Sequence, residues 1–163
     1  MGAHEILGVL SDAQAISADD TASTNTIDLG VASPRIGVGQ HAPYLCIRTA
    51  VAPTDTADTL SIELQTDADD GAGAPVGTWT NVAFMPLVGV NGAEVAGTDA
   101  RLLTAGAWIY RGPLPYDITN RHIRLMYRNT TSNGVFTIDA WLSDGPASTF
   151  RGSQVLFSTV GQP

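Results

Sequence analysis

The chain has 163 residues, of which 44% are hydrophobic and 15% charged, and its 16 acidic and 8 basic side chains give a formal net charge of −8. Every basic residue is arginine, and without a positive excess the chain cannot readily displace counterions from phosphates, which argues against binding to nucleic acid or to an anionic membrane surface. The length suits one domain over residues 1–163, and no apolar run is long enough for a membrane-spanning helix.

Short β-like runs separated by turn residues predict strands from the start of the chain. The first runs are Glu5–Leu10 and Thr24–Val31, and Asp12–Ala18 between them predicts one helical turn at most. Tyr44–Val51 follows, and its apolar setting predicts a buried thiol for the single cysteine, Cys46. Because one cysteine cannot form an intramolecular disulfide and no basic leader is evident, we expect a soluble protein made in a reducing compartment.

The middle of the chain continues this pattern of runs and turns. Thr59–Thr66 alternates apolar and polar side chains, as a strand does when one of its faces lies on a core. Trp79–Met85 predicts another strand, and Val88–Val95 predicts a small hairpin or a long loop. Arg101–Gly112 is a long run in which Ala105-Gly106 predicts a bulge or a corner.

The clearest hairpin signal lies near the end of the chain. Ile123–Arg128 alternates, Asn133-Gly134 supplies residues that tolerate positive φ, and Val135–Leu142 returns with an apolar face. The pattern predicts two neighbouring antiparallel strands, and it leaves open whether Trp141 lies on the wetter face or at an interface. Gln154–Val160 predicts a last strand or a docked tail.

About eight strands without a convincing helix predict an all-β fold. Strands that must hide their edges are accommodated most simply by two packed antiparallel sheets, so we predict a jelly-roll sandwich. An immunoglobulin-like sandwich is the alternative, and the single cysteine weakens it. The N-terminal arm, residues 1–5, and the C-terminal tail, residues 149–163, are polar enough to be mobile in isolation and to order on a partner.

Residue patterns typical of catalysis are missing from the sequence. The histidines His4, His41 and His122 stand far apart, there is no nucleophile elbow, and we expect His122 at the surface or an interface. The acidic loop Asp67–Asp70 could offer oxygen ligands to calcium, but it lacks the EF-hand spacing, so a solvated loop tip is the preferred interpretation. We therefore predict a protein that is not an enzyme and that has no cofactor and no metal.

Side chains of the types enriched at protein interfaces are candidates for contact with a partner. They are Arg121, Arg124, Met126, Arg128, Trp108 and Tyr110. The first four lie in or beside one predicted strand, where an ordinary solvated sheet face is the competing interpretation. The two aromatic residues lie in another run, where one of them could equally belong to the core.

Six strings of strand and turn residues lie along roughly residues 7–145. They are Leu10–Ile16, Ser23–Gly30, Leu60–Thr66, Gly112–Pro115, Arg121–Leu125 and Gly134–Leu142. Together they resemble a family of tailed-bacteriophage capsid cement (decoration) proteins. The family has no catalytic residues, so the resemblance assigns none here.

The resemblance implies a jelly-roll fold and a structural function in the virion. A protein of this kind sits on the outer capsid surface, after synthesis in the host cytoplasm, and clamps neighbouring subunits of the phage major capsid protein to stabilise the expanded shell. The resemblance also implies a homodimer or homotrimer, so the candidate residues would serve a capsid or protomer interface. The alternative is a carbohydrate-binding jelly roll, a tail-spike or lectin-like module, with Trp and Tyr as sugar platforms and Asp67–Asp70 as a calcium loop.

Overall fold

The computed structural model describes seven stretches of the chain, which are residues 6–30, 43–53, 59–82, 95–96, 100–114, 118–129 and 134–143. These residues form ten strands and one helical turn: β1 (Ile6–Ile16), β2 (Thr21–Ala22), β3 (Ile27–Asp28), β4 (Tyr44–Val51), β5 (Thr59–Asp67), β6 (Thr80–Asn81), β7 (Val95–Ala96), α1 (Ala100–Leu103), β8 (Trp108–Pro113), β9 (His122–Asn129) and β10 (Phe136–Ser143). The described part contains no helix with the length and apolarity needed to cross a membrane. The all-β prediction is confirmed.

The strands pair in two antiparallel sheets. Sheet I has the order β1-β10-β4-β8, and sheet II has the order β2-β9-β5-β6, with β3 also on β9 and β7 also on β5. Because β2 and β3 follow each other along β9, and β6 and β7 along β5, each of these two pairs occupies one strand position. The positions then run 1-8-3-6 in sheet I and 2-7-4-5 in sheet II, which is the order of a jelly roll rather than of an immunoglobulin-like sandwich.

The core lies between the two sheets. Alternate residues of the central strands supply buried apolar side chains to it, among them Leu45, Ile47, Leu60, Ile62, Leu64, Ile123, Leu125, Tyr127, Phe136, Ile138 and Leu142. The predicted apolar face of Thr59–Thr66 is therefore confirmed. The opposite face of this strand is less exposed to solvent than alternation suggests, because Ser61 and Gln65 are buried there as well.

The hairpin predicted near the end of the chain is wrong. β9 pairs with β5 and β2 in sheet II, whereas β10 pairs with β1 and β4 in sheet I. The chain therefore passes from one sheet to the other between Asn129 and Gly134. Alternation and a turn pair specify that two strands exist, but they do not specify that the strands share a sheet.

The first strand is longer than its sequence pattern predicts. β1 continues to Ile16 and so includes most of Asp12–Ala18, where we expected a helical turn at most. The strand bulges at Ala13, which has a φ of 45° and whose N–H donates a hydrogen bond of 2.7 Å to Asp139 Oδ1. The bulge hides the alternation, because an inserted residue changes the face on which the following side chains lie.

The predicted strand Arg101–Gly112 divides into a helical turn and a strand. α1 takes its start, in keeping with the good helix formers of Ala100–Leu103. The predicted break at Ala105-Gly106 is confirmed, since Gly106 adopts a φ of 81° before β8 begins at Trp108. A positive φ favours glycine because it has no Cβ.

Several predicted segments fall wholly or partly outside the described residues. Within Thr24–Val31 only β3 is a strand, and Val31 itself lies outside. Only Trp79 to Val82 of the run Trp79–Met85, and Val95 of the next run, are described. Residues 1–5 and 149–163, Gln154–Val160 and the histidines at 4 and 41 also lie outside.

Candidate protein-binding surface

The four candidate residues from the end of the chain lie along sheet II. Arg124, Met126 and Arg128 alternate with core residues of β9 on the side of the strand away from the core, where the two arginines are partly exposed but Met126 is buried, while Arg121 precedes the strand. We call the outward side chains of β9, with Glu63 and Gln65 of β5, the arginine face. Register places Gln65 opposite Arg124 and Glu63 opposite Met126.

The two aromatic candidates lie in the other sheet, so the structure does not join them to the arginine face. In β8, Trp108 pairs with Arg48 and Tyr110 with Ile47, which leaves Ile109 as an extra residue. This bulge sends the two rings to different environments, and Tyr110 packs against the main core. The structure therefore separates the two rings, and of the two it is Tyr110 that packs, partly buried, against the core.

Trp108 belongs to a small cluster apart from the main core. It packs against buried Trp141 and Cys46, with its ring centroid 5.6 Å from that of Trp141. The Arg111 guanidinium lies 5.2 Å from the Trp108 ring, and that of Arg48 lies 5.8 Å from the Trp141 ring. The open question about Trp141 is thereby answered, because its side chain is buried, and the predicted burial of Cys46 is confirmed.

Arg121 joins two acidic residues at the end of sheet II. Its Nε and Nη2 donate to the two carboxylate oxygens of Asp28 at 2.6 and 2.7 Å, and its Nη1 donates to Asp69. The hydrogen bond from Arg121 lowers the pKa of Asp28 from 3.8 to about 2, with a smaller contribution from the Gly30 N–H. The charge of Arg121 is thus neutralised within the chain.

The acidic loop Asp67–Asp70 uses its carboxylates to hold its own backbone. Asp69 Oδ1 accepts a hydrogen bond of 2.9 Å from the Gly73 N–H, and Asp70 Oδ1 accepts one of 2.7 Å from the Ala72 N–H. Within the seven described stretches, no cluster of three or more His, Cys, Asp or Glu side chains could hold a metal ion. The loop is better described as a capped turn than as a calcium loop.

Arg128 is also paired with carboxylates. Its Nη1 donates to Asp20, and its Nη2 donates to Glu63 Oε2 at 3.1 Å. Two acidic groups therefore surround this guanidinium, and Arg128 adds no net positive charge to the arginine face.

Arg124 differs from both of these arginines. Its Nε donates to Gln65 Oε1 at 2.9 Å, and its guanidinium carbon lies 4.2 Å from the centroid of the Trp79 ring. Partial burial lowers the pKa of Arg124, and the negative charge of Asp67 opposes this effect. No carboxylate among the described residues forms an ion pair with Arg124.

The residues that hold Arg124 were not among the candidates predicted from the sequence. Gln65 lies in β5, Asn81 lies in β6, and Trp79 is the residue just before β6. Gln65 Nε2 donates to Asn81 Oδ1 at 3.0 Å. The alternation of Thr59–Thr66 already places Gln65 on an outward face. No local signal shows that β5 lies beside β9, because that pairing joins residues far apart in the sequence.

His122 is not the surface residue that we expected. Its side chain is 2% exposed, and its backbone pairs with Asp28 on one side and Asp67 on the other. Its Nε2 has no hydrogen-bond partner among the described residues. The prediction was wrong because His122 begins β9, the central strand between β3 and β5, rather than lying at a free strand end.

The chain matches a known protein family over most of its length. The family model of Bbp16 matches residues 10–138, a range that begins inside β1, ends inside β10 and covers well over half of the chain. No curated protein matches the chain. The matched range includes all six candidate interface residues.

Proposed function

The chain belongs to the Bbp16 family, and from this premise we propose that it is a capsid cement protein of a tailed bacteriophage. It binds the outer surface of the shell and clamps neighbouring major capsid protein subunits. The family name, which suggests a phage-associated protein, supports the proposal. The resemblance of six sequence strings to cement proteins supports it independently.

The observation that best supports this proposal is a continuous core between two sheets. The outward side chains of these sheets include Arg124, which Gln65 holds by a hydrogen bond. A sandwich of this kind is stiff, so a force on one contact is transmitted to the others. A body that binds the expanded shell but not its dissociated subunits stabilises the shell by mass action. Joining two or three copies makes later contacts intramolecular, which raises the avidity. We propose a homodimer or homotrimer on the virion exterior, with no enzymatic activity.

The carbohydrate-binding alternative has less support. A sugar platform needs an exposed aromatic ring, but Trp108 stacks with Arg111 and Tyr110 packs against the core. The calcium that such a module uses would need the carboxylates of Asp67–Asp70, whose oxygens hold the loop backbone instead.

Co-sedimentation with cement-free expanded capsids tests the proposed function. We expect saturable binding at a copy number set by the symmetry of the shell, and much weaker binding to unexpanded shells as the control. At a free concentration 100 times Kd, binding should stabilise each occupied site by about 2.7 kcal/mol, measured as a higher capsid melting temperature. Absence of co-sedimentation, or equal binding to both shell forms, contradicts the proposal.

A further inference from the structure

The three arginines in and beside β9 differ in how their charges are compensated. Arg121 bonds Asp28 and Asp69, and Arg128 bonds Asp20 and Glu63. The Arg124 guanidinium is bonded only to the neutral amide of Gln65 and covered by the Trp79 ring, among the residues that the structure describes. Arg124 is therefore the arginine of this face that forms no ion pair with a described carboxylate, although the negative charge of Asp67 acts on it from a distance.

The charge of Arg124 is held in one orientation by a row of side chains across three strands. Asn81, Gln65 and Arg124 stand opposite one another on β6, β5 and β9. Because Gln65 donates its Nε2–H to Asn81 Oδ1, its Oε1 is directed to Arg124 Nε. The Trp79 ring then supports one side of the guanidinium plane, so the side chain loses little further freedom when it binds.

The remaining donors of Arg124 match one kind of ligand. Its Nε is used by Gln65, and neither terminal nitrogen donates to another described residue. Two terminal N–H groups in one plane form paired hydrogen bonds with a carboxylate, and a lysine cannot reproduce that geometry. The charge of the whole chain, −8, makes this site a local exception that attracts an acidic group.

We propose that Arg124, oriented by Gln65 and supported by Trp79, is the central docking contact of the chain and binds an aspartate or glutamate side chain of the capsid protein. This inference rests on the proposed function, and it names the face that docks and the chemistry it recognises. Arg121 and Arg128 then position the sheet and bind no partner. Arginine is enriched among the few residues that dominate an interface, and a side chain that is ordered before binding loses less entropy when it binds.

The test compares variants by co-sedimentation with the same cement-free expanded capsids. Arg124→Gln should weaken binding about 10- to 100-fold, because the loss leaves the partner carboxylate without its donors. Arg128→Gln is the matched control, since it makes the same change of charge on the same face, and it should alter binding less than about threefold. Arg124→Lys should recover only part of the affinity because it keeps the charge without the fork.

Each outcome decides between the two proposals. If the wild-type protein does not bind capsids, the proposed function fails; if it binds and Arg124→Gln binds equally well, only this inference fails. Equal losses of capsid affinity in Arg124→Gln and Arg128→Gln would also overturn the inference. They would mean that binding depends on the overall charge of the arginine face rather than on one contact. If Arg124→Gln retains its capsid affinity but has a different oligomeric state in free solution, the contact belongs to a second copy of the chain. That result would overturn the proposed contact with a capsid carboxylate.

A second variant keeps the test valid if Arg124→Gln does not fold, as judged by far-UV circular dichroism. Trp79→Leu removes the support of the guanidinium but retains its charge, and it should weaken capsid binding several-fold. Raising the salt concentration should weaken wild-type binding more than Arg124→Gln binding, since one charge pair has been removed from the variant. Equal binding by Trp79→Leu, together with equal salt dependence, overturns the inference.

Discussion

Tyr127 shows how a polar group is accommodated within the core. The side chain is fully buried, and its hydroxyl oxygen lies 2.7 Å from Ser11 Oγ. Since Ser11 Oγ donates its own proton to Gln14 Oε1, the Tyr127 hydroxyl is the donor in its bond to Ser11. One hydrogen bond therefore connects β9 of sheet II to β1 of sheet I through an otherwise apolar core.

Replacing Tyr127 by Phe should lower the free energy of unfolding by about 1–2 kcal/mol, because buried Ser11 loses its donor. Burial raises the pKa of the Tyr127 hydroxyl above its ordinary value of 10.0. The stability that depends on the neutral hydroxyl is therefore present below pH 10 and is lost as the pH rises above it. Urea unfolding of both proteins from pH 8 to pH 11 measures the two effects.

Above pH 10 wild type should lose stability up to about 1.4 kcal/mol per pH unit more steeply than Tyr127→Phe. Parallel pH curves for wild type and Tyr127→Phe would contradict the assignment of this slope to Tyr127.

At the scale of elements, the crossover between the sheets is held by Asn129. This residue ends β9, is fully buried, and donates from Nδ2 to the carbonyl oxygens of Gly134 at 3.2 Å and Ile16 at 3.4 Å. It thus ties the end of β1 to the segment that leads into β10. It directly follows the run Ile123–Arg128, after which the sequence predicted a hairpin, but the chain crosses to the other sheet instead.

Asn129→Ala should lower the free energy of unfolding by about 1–3 kcal/mol, because it removes two buried hydrogen bonds, one to Ile16 and one to Gly134. Asn25→Ala is the matched control, since Asn25 also donates to a backbone oxygen, that of Val9 at 3.2 Å, but is exposed. Asn25→Ala should lower the free energy of unfolding by less than about 0.5 kcal/mol. Denaturant unfolding measures both costs, and similar values for the two variants would show that Asn129 does not hold the crossover.

Strand alternation predicts one part of the arginine face, and the pairing of strands decides the rest. Alternation along β9 places Arg124, Met126 and Arg128 on one side, because successive side chains of a strand point to opposite faces. It does not place Gln65 beside Arg124, since the two are 59 residues apart and meet only through sheet pairing. A bulge separated Trp108 from Tyr110, and alternation cannot anticipate a bulge.

For the whole molecule, a core shared by both sheets predicts that the sheets unfold together. Side chains of β4 and β10 in sheet I pack with those of β5 and β9 in sheet II, so neither sheet keeps a buried face without the other. In Trp79→Phe the remaining tryptophans, Trp108 and Trp141, both lie in sheet I. Its fluorescence should therefore report one sheet, while far-UV circular dichroism reports both.

The urea midpoints of Trp79→Phe from fluorescence and from circular dichroism should coincide, as they do for a two-state domain. Wild type, which carries a tryptophan beside each sheet, is the control and should also give one midpoint from both signals. An earlier fluorescence transition in the variant would mean that sheet I unfolds alone and would contradict a single cooperative domain.

The class of this fold and the approximate bounds of β4, β5, β9 and β10 follow from local pattern, because an alternating run such as Thr59–Thr66 has only one way to bury its apolar side. Which strands become neighbours is a property of the folded molecule. The jelly-roll winding separates β9 from β10 and brings Asp20 to Arg128 across 108 residues. Whether an arginine is neutralised or left to bind a partner depends on such distant neighbours, since electrostatic pairing acts through space rather than along the chain.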